Sequence, residues 1–107
     1  LQMNDILTKL NSVLKDRKNK DPEESYVASL YKKGLDHTCN KIEEEANELV
    51  NALENENKER VISEAADLWF HSLVALSMKN LSSDDILNEL DKRFGISGHE
   101  EKNNRNA

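Results

Sequence analysis

Residues 61–76 read VISEAADLWFHSLVAL, and apolar side chains fill most positions of this segment. As a helix from about Glu59 to Lys79, the segment is apolar over most of its circumference and keeps only a narrow polar strip, which carries Glu64 and Asp67. A helix that is apolar nearly all round is surrounded by other elements in a folded protein. The segment therefore predicts a central helix within an all-α bundle.

Two of the predicted helices come directly before this segment. Asp21 and Pro22 indicate the start of the second helix of the chain, because Asp caps helix N-termini and Pro fits the first helical position; Gly34 indicates its end. Asp36 is predicted to cap the third helix, which runs to about residue 53. The third helix is expected to face the core with apolar residues, namely Leu35, Ile42, Ala46, Leu49, Val50 and Leu53.

The ends of the chain carry two more helix signals. Ser82 with Asp85 predicts a capping box at the start of the last helix, and Gly95 predicts its end. A first amphipathic helix is predicted from apolar residues at helical spacing, namely Met3, Ile6, Leu7, Leu10, Val13 and Leu14. We expect residues 1–95 to form one helical domain and the polar segment 96–107 to be mobile.

Composition narrows the class of function. The 107 residues carry a formal net charge of −6, which argues against nucleic-acid binding, because that binding depends on neutralising phosphates. No apolar run approaches the roughly 20 residues of a membrane span. The single cysteine, Cys39, excludes an internal disulfide and indicates a reducing compartment, so we expect a cytoplasmic protein.

Acidic residues recur at helical spacing on the third and fourth helices. Glu44, Glu45 and Glu48 lie within an arc of about 100° on the third helix. Glu64 and Asp67 lie about 60° apart on the polar strip of the fourth. The short connection between the two helices favours antiparallel packing, which would place the two sets of acids opposite each other.

Such a cluster is costly without a counter-ion, because buried like charges repel one another or take up protons. Magnesium prefers oxygen ligands and is usually held by a few carboxylates together with substrate phosphates. The pattern thus indicates hydrolysis of a phosphate ester or anhydride. The alternative is a solvated acidic face, which is common on helices; it explains the acids of the third helix more easily than Glu64 and Asp67, which apolar residues flank.

The residues around these acids carry a family resemblance. The pattern Glu44-Glu45-x-x-Glu48, a spacer of 15 residues, and Glu64-x-x-Asp67 resembles the metal motif of the all-α nucleotide pyrophosphohydrolase superfamily, which includes MazG-like enzymes. With KGLD at 33–36 and EAADL at 64–68, the chain from residue 23 onward resembles the phosphoribosyl-ATP pyrophosphohydrolase family. Glu43 departs from the family pattern, in which Gly is frequent at this position.

The resemblance implies magnesium-dependent cleavage of phosphoribosyl-ATP to phosphoribosyl-AMP and pyrophosphate, in histidine biosynthesis, by a homodimer. It also implies that Glu44, Glu45 and Glu48 are catalytic, with Glu44 supporting the metal or positioning water. The implied metal ligands are Glu45, Glu48, Glu64 and Asp67. A dimer is expected from the sequence as well, because a bundle of this size has too few helices to cover residues 68–76 on all sides.

Basic residues near the acids allow two interpretations each. Lys41 lies in the same arc as the acids and either binds a substrate phosphate or pairs with Glu44 or Glu45; Lys33 is a weaker candidate for the phosphate. Arg60 is most simply the ion-pair partner of Glu64, and a contact with a substrate phosphate is its alternative. His71 is either a satisfied core histidine or a hydrogen-bond partner of a metal-bound carboxylate or water.

Two rival functions remain open at the level of sequence. A hydrolase of noncanonical or deoxynucleoside triphosphates, from the same superfamily, would use the same metal acids. A non-catalytic helical adaptor, dimerising through the apolar fourth helix, would leave the acids solvated and show no specific effect of magnesium.

Overall fold

The computed structural model describes residues 5–95, which form five α-helices. They are α1 (Asp5–Arg17), α2 (Tyr26–Lys33), α3 (Leu35–Asn55), α4 (Lys58–Met78) and α5 (Ser83–Phe94). This part of the chain has no β-strand, which confirms the all-α class. None of its helices combines the length and hydropathy that a membrane span requires. The segment 96–107, predicted to be mobile, lies outside the described residues.

The long helices α3 and α4 form the hairpin on which the site is built. Only Glu56 and Asn57 connect them, and the Asn57 side chain accepts a hydrogen bond from the backbone N–H of Arg60 at 3.0 Å, which caps α4. Glu45 near the middle of α3 lies opposite His71, whereas the later Glu48 lies opposite the earlier Glu64. This crossing order confirms the predicted antiparallel packing.

The apolar core lies on one side of this hairpin. Leu14 of α1, Val27 and Leu30 of α2 and Val74 of α4 are buried against one another. Larger side chains pack around them, namely Leu10, Tyr31, Phe70, Leu73 and Met78. Because core residues of α2 pack against α4, the first residues of α2 lie beside the middle of the hairpin.

The predicted starts of α2 and α3 are wrong. Asp21 closes only a turn, in which its carboxylate accepts from the backbone N–H of Glu23 at 3.0 Å. The helix starts after Ser25, whose buried hydroxyl accepts from the Ala28 N–H at 3.2 Å. Asp36 lies in the first turn of α3, and Gly34, with φ of 97°, takes the cap position. Because Gly34, at a positive φ, both ends α2 and precedes α3 directly, no separate capping residue lies between the two helices.

The predicted core face of α3 is only partly correct. Val50 and Leu53 are exposed, Leu53 to 63%, whereas the buried residues of α3 are Thr38, Glu45 and Ala52. The contact face is therefore rotated toward the acidic stripe. This rotation arises because α3 packs against α4 with small or polar side chains, so that Val50 and Leu53 lie on the exposed side of the helix.

The fourth helix is not surrounded within a single chain. Trp69 is 64% exposed and Ile62 67% exposed, so the expectation that other elements surround the helix is wrong for a single chain. The expected shortage of cover for residues 68–76 is met at Trp69. Beside Trp69, α4 and α5 form an apolar cleft of about 350 Å³. Its lining comes from α1, α4 and α5, namely Leu7, Leu68, Trp69, Ser72, Leu73, Leu76, Ser83, Ile86, Leu87 and Leu90.

The last helix starts as predicted. Ser82 and Asp85 form the capping box. The Ser82 hydroxyl accepts from the backbone N–H of Asp85, and the Asp85 carboxylate accepts from the backbone N–H of Ser82. The neighbouring Ser83 is buried and exchanges hydrogen bonds with the Asn11 amide at 2.9 and 3.2 Å. These bonds fix α5 to α1, while its apolar residues face the cleft.

The corrected start of α2 can be tested by removing each possible cap. We expect Ser25→Ala to lower the free energy of unfolding by about 1 kcal/mol, because it leaves an N-terminal N–H of α2 without its acceptor. Asp21→Ala, at an exposed turn, should change it by no more than about 0.5 kcal/mol. Urea unfolding of both variants measures the difference. A larger loss from Asp21→Ala would restore the start predicted from sequence.

Candidate active site

Three carboxylates converge between α3 and α4. One oxygen each of Glu45, Glu48 and Glu64 lies within 4.8 Å of the others. Glu45 and Glu64 are only 6% and 5% exposed, while Glu48 is exposed at the rim. Two of the three negative charges therefore lie in an environment where like-charge repulsion is poorly screened.

Glu64 carries the strongest sign of this crowding. Its Oε1 accepts from the Arg60 guanidinium, whereas no hydrogen-bond donor in residues 5–95 reaches its buried Oε2. A proton shared with the Glu48 carboxylate, together with burial, raises the pKa of Glu64 above the ordinary 4.5, although the Arg60 charge opposes this. The repulsion from Glu48 and Asp67 adds to the increase.

The donor set fits a hard divalent cation. Buried carboxylate oxygens need a proton, a donor or a metal, and the described residues offer Oε2 of Glu64 no donor. Magnesium is commonly held by one or two carboxylates and keeps open positions for water and phosphates. The exposed position of Glu48 leaves the cluster accessible from solvent on one side.

A polar cleft of about 360 Å³ opens beside the cluster. Arg60 crosses it, since its guanidinium also lies 3.5 Å from a Glu56 oxygen. The predicted pairing of Arg60 with Glu64 is thus confirmed. The cleft is lined by Asn47, Glu48, Asn51, Glu56, Arg60 and Glu64. It offers amide donors and one guanidinium next to the acids, the kinds of group that recognise phosphate and sugar oxygens.

Glu44 and Lys41 lie one turn from the cluster on α3. The Lys41 ammonium is 3.6 Å from a Glu44 oxygen, so the ion-pair interpretation of Lys41 holds in this structure. Burial lowers the pKa of Lys41, but the negative charges of Glu44 and Glu45 outweigh it, and the pKa lies above 10.5. Lys41 thus keeps its charge beside the acids, and its contact with substrate stays a prediction.

Two of the predicted site residues lie outside the group of three. Asp67 is exposed on α4, near enough for its charge to raise the pKa of Glu64 but not among the three converging oxygens. Lys33 is exposed in the last turn of α2, and no ion pair within residues 5–95 joins it to the acids. Their roles as metal ligand and phosphate contact stay predictions.

His71 lies directly behind the cluster. Its Nδ1 is 2.9 Å from the Asp67 carbonyl oxygen and 3.4 Å from a Glu45 oxygen, and its Nε2 is 2.7 Å from the Tyr26 hydroxyl. His71 is 5% exposed. It is therefore a satisfied buried histidine that lies beside an acid of the cluster, and its role toward a metal-bound carboxylate or water stays a prediction.

Sequence reasoning missed three residues near the site. Asn47 and Asn51 lie one turn apart on α3 and line the polar cleft; extending the acidic stripe by the same helical spacing would have included them. Tyr26 fits the apolar spacing of α2 together with Val27 and Leu30. Nothing in the sequence alone signals that its hydroxyl meets an imidazole 45 residues later.

Comparison with known proteins agrees with this geometry. A family model described as phosphoribosyl-ATP pyrophosphohydrolase matches residues 7–94. The chain is 56% identical to a phosphoribosyl-ATP pyrophosphatase of Hydrogenovibrio crunogenus, across 95% of this chain and 94% of that protein. It is 49% identical to the protein of that name from Ruthia magnifica, across 97% and 99%. For Methylococcus capsulatus the identity is 48%, across 94% and 96%.

The raised pKa of Glu64 predicts how the stability of the chelator-treated protein depends on pH. Folded Glu64 holds a proton more tightly than unfolded Glu64, so its contribution is fully present below the ordinary pKa of 4.5. That contribution is lost as pH rises through the raised pKa. We expect the melting temperature, measured in chelator, to fall over this window, and Glu64→Gln to reduce the fall. Glu43→Gln removes an exposed charge from α3 and is the control; equal reductions in both variants would contradict the assignment to Glu64.

Proposed function

Because the chain belongs to the phosphoribosyl-ATP pyrophosphohydrolase family, we propose that it hydrolyses phosphoribosyl-ATP to phosphoribosyl-AMP and pyrophosphate in histidine biosynthesis. The observation that carries this proposal is the convergence of Glu45, Glu48 and Glu64, where one buried oxygen lacks a donor among residues 5–95. The reaction breaks the anhydride bond between the α- and β-phosphates of the substrate. The elements of one water molecule are divided between the two products.

Magnesium is the proposed cofactor, held by Glu45, Glu48 and Glu64 with Asp67 as the fourth carboxylate. When bound, it neutralises phosphate charge and lowers the pKa of an attacking water. The crowding of the acids supports this choice, because the same repulsion that raises the pKa of Glu64 favours any cation that replaces the shared proton.

The remaining residues of the site have separable roles. Glu44 lies at the exposed edge of α3, where its carboxylate accepts hydrogen bonds from water and orients it toward the phosphate. Lys41, paired with Glu44, offers its ammonium to a substrate phosphate. Arg60 holds Glu64 and faces the polar cleft, which is large enough for the phosphate and ribose groups next to the acids.

A homodimer is the second part of the proposal. In a single chain the apolar cleft exposes Trp69, Leu87 and Leu90, and an apolar surface of this kind on a small protein marks an association site. A second copy of the chain would cover it, in agreement with the family resemblance.

The activity is tested with a pyrophosphate-release assay on phosphoribosyl-ATP and a panel of nucleoside triphosphates, with magnesium and with chelator. We expect release from phosphoribosyl-ATP in magnesium only. Asp67→Asn is expected to lower kcat at least about 100-fold, because the loss of a metal ligand should reduce activity more than the loss of a residue that only contacts a ligand. It should leave the metal-free protein as stable as the parent, because it relieves repulsion.

Glu43→Gln is the matched control, since it removes one negative charge from an exposed position on α3. We expect it to keep parental turnover. Near-parental turnover of Asp67→Asn would exclude Asp67 as a ligand. Preference for a triphosphate would favour the related triphosphate hydrolases, and the absence of any magnesium effect would favour an adaptor.

The dimer is tested by light scattering at micromolar concentration, where we expect twice the 12.2 kDa mass of one chain. Trp69→Glu should yield a monomer, because it places a charge in the apolar cleft. Ile62→Glu is the control, as Ile62 is equally exposed on the same helix but lies outside the cleft. A monomeric parent, or a dimeric Trp69→Glu, would contradict the proposed interface.

A further inference from the structure

Tyr26 and His71 form a contact that the proposed chemistry does not use. The Tyr26 hydroxyl of α2 and the His71 Nε2 of α4 lie 2.7 Å apart, and the opposite ring nitrogen lies 3.4 Å from Glu45 Oε1 on α3. Three helices are thereby joined through one buried imidazole. One of these helices, α3, carries Glu45, which belongs to the group of three converging carboxylates.

The partners of His71 determine where its proton lies. Nδ1 faces only acceptors, the carbonyl oxygen of Asp67 at 2.9 Å and the Glu45 carboxylate. It must therefore carry hydrogen and act as the donor. In the neutral ring Nε2 is then the acceptor, and it takes the hydrogen of the Tyr26 hydroxyl. The tyrosine hydroxyl thus supports the tautomer that carries its hydrogen on Nδ1, the nitrogen that lies 3.4 Å from Glu45.

Aromatic packing also fixes the plane of the imidazole. The Tyr26 and Phe70 rings meet it edge to face, at centroid distances of 5.7 and 5.1 Å and interplanar angles of 85° and 83°. Rotation of the ring would break these contacts together with the Asp67 hydrogen bond. The N–H is consequently held on the Asp67 carbonyl oxygen, with the Glu45 oxygen 3.4 Å from the same nitrogen.

Glu45 depends on this contact more than its neighbours do. Glu64 has Arg60 and Glu44 has Lys41 as a charged partner, whereas within residues 5–95 the only basic group within 4 Å of the Glu45 carboxylate is the His71 imidazole. Both the imidazole and the Glu45 carboxylate are buried, so water screens the interaction of the ring dipole with the carboxylate only weakly.

We propose that His71, set by Tyr26, is a positioning residue that orients the Glu45 carboxylate for magnesium. This inference rests on the proposed function, in which Glu45 is a ligand. His71 does not touch the metal or the substrate. It fixes the direction in which Glu45 presents its free oxygen, as outer partners of metal ligands commonly do.

Two amide variants separate the two ring nitrogens. His71→Asn places an amide N–H where Nδ1 stood and loses the tyrosine contact, whereas His71→Gln reaches the Nε2 position and loses the N–H that lies beside Glu45. We expect His71→Gln to weaken Mn²⁺ binding, measured by electron paramagnetic resonance, by about 10- to 100-fold, and His71→Asn by less than about tenfold. Melting curves in chelator establish that each variant is folded.

Tyr26→Phe provides a second variant, which removes one hydroxyl and keeps the ring. Its control is Tyr31→Phe, since the Tyr31 hydroxyl also joins α2 to α4, through Ser77, but remote from the acids. We expect Tyr26→Phe to weaken Mn²⁺ binding and to lower kcat without raising KM, and Tyr31→Phe to change stability only.

The outcomes decide between orientation and mere packing. Weaker binding in His71→Gln than in His71→Asn supports the proposal, whereas equal losses in the two variants, or parental binding in His71→Gln, would overturn it. Equal effects of Tyr26→Phe and Tyr31→Phe would overturn the part assigned to Tyr26. A parent that binds Mn²⁺ without cleaving phosphoribosyl-ATP would refute the substrate but leave the comparison of variants decisive. A parent that binds no Mn²⁺ would overturn both proposals.

Discussion

The mutual repulsion of carboxylates buried between α3 and α4 is the constraint on which the site depends. Glu45, Glu48 and Glu64 come within 4.8 Å, and one oxygen of Glu64 has no donor in the described part of the chain. Such an arrangement is unfavourable in the absence of protons or cations. The fold tolerates it because the apolar core of α1, α2 and α4 stabilises the hairpin from the other side. Stability and function therefore make opposite demands on the same helix pair.

Basic side chains reduce this conflict without removing it. Arg60 holds one oxygen of Glu64, and the His71 imidazole approaches Glu45 from behind. Neither satisfies every oxygen, so an affinity for cations is left over. A fully paired cluster would make the folded chain more stable and would bind a metal less well, because each ligand oxygen would first have to give up its partner.

Three faces of α4 have three different roles. One face carries Glu64 and His71 toward α3, a second carries Val74 into the core, and a third leaves Trp69 beside the apolar cleft. This division explains why the helix is apolar over most of its circumference without being covered in a single chain. An apolar face that the chain itself leaves open is available to a second copy, and association there would not disturb the acids on the opposite side.

The sequence by itself determined the helical class, the approximate extent of the long helices and the antiparallel pairing of two acidic stripes, because helical periodicity and short connections are local properties. It also identified all three acids that converge and the pairing of Arg60 with Glu64. Only the tertiary structure decided which face of α3 is buried, since Val50 and Leu53 fit the apolar pattern as well as Ala52 does. The start of α2 at Ser25 likewise depended on where the core holds that helix. The bond between Tyr26 and His71 depends on how α2 docks against α4, and contacts between residues so distant in the chain leave no periodic signal.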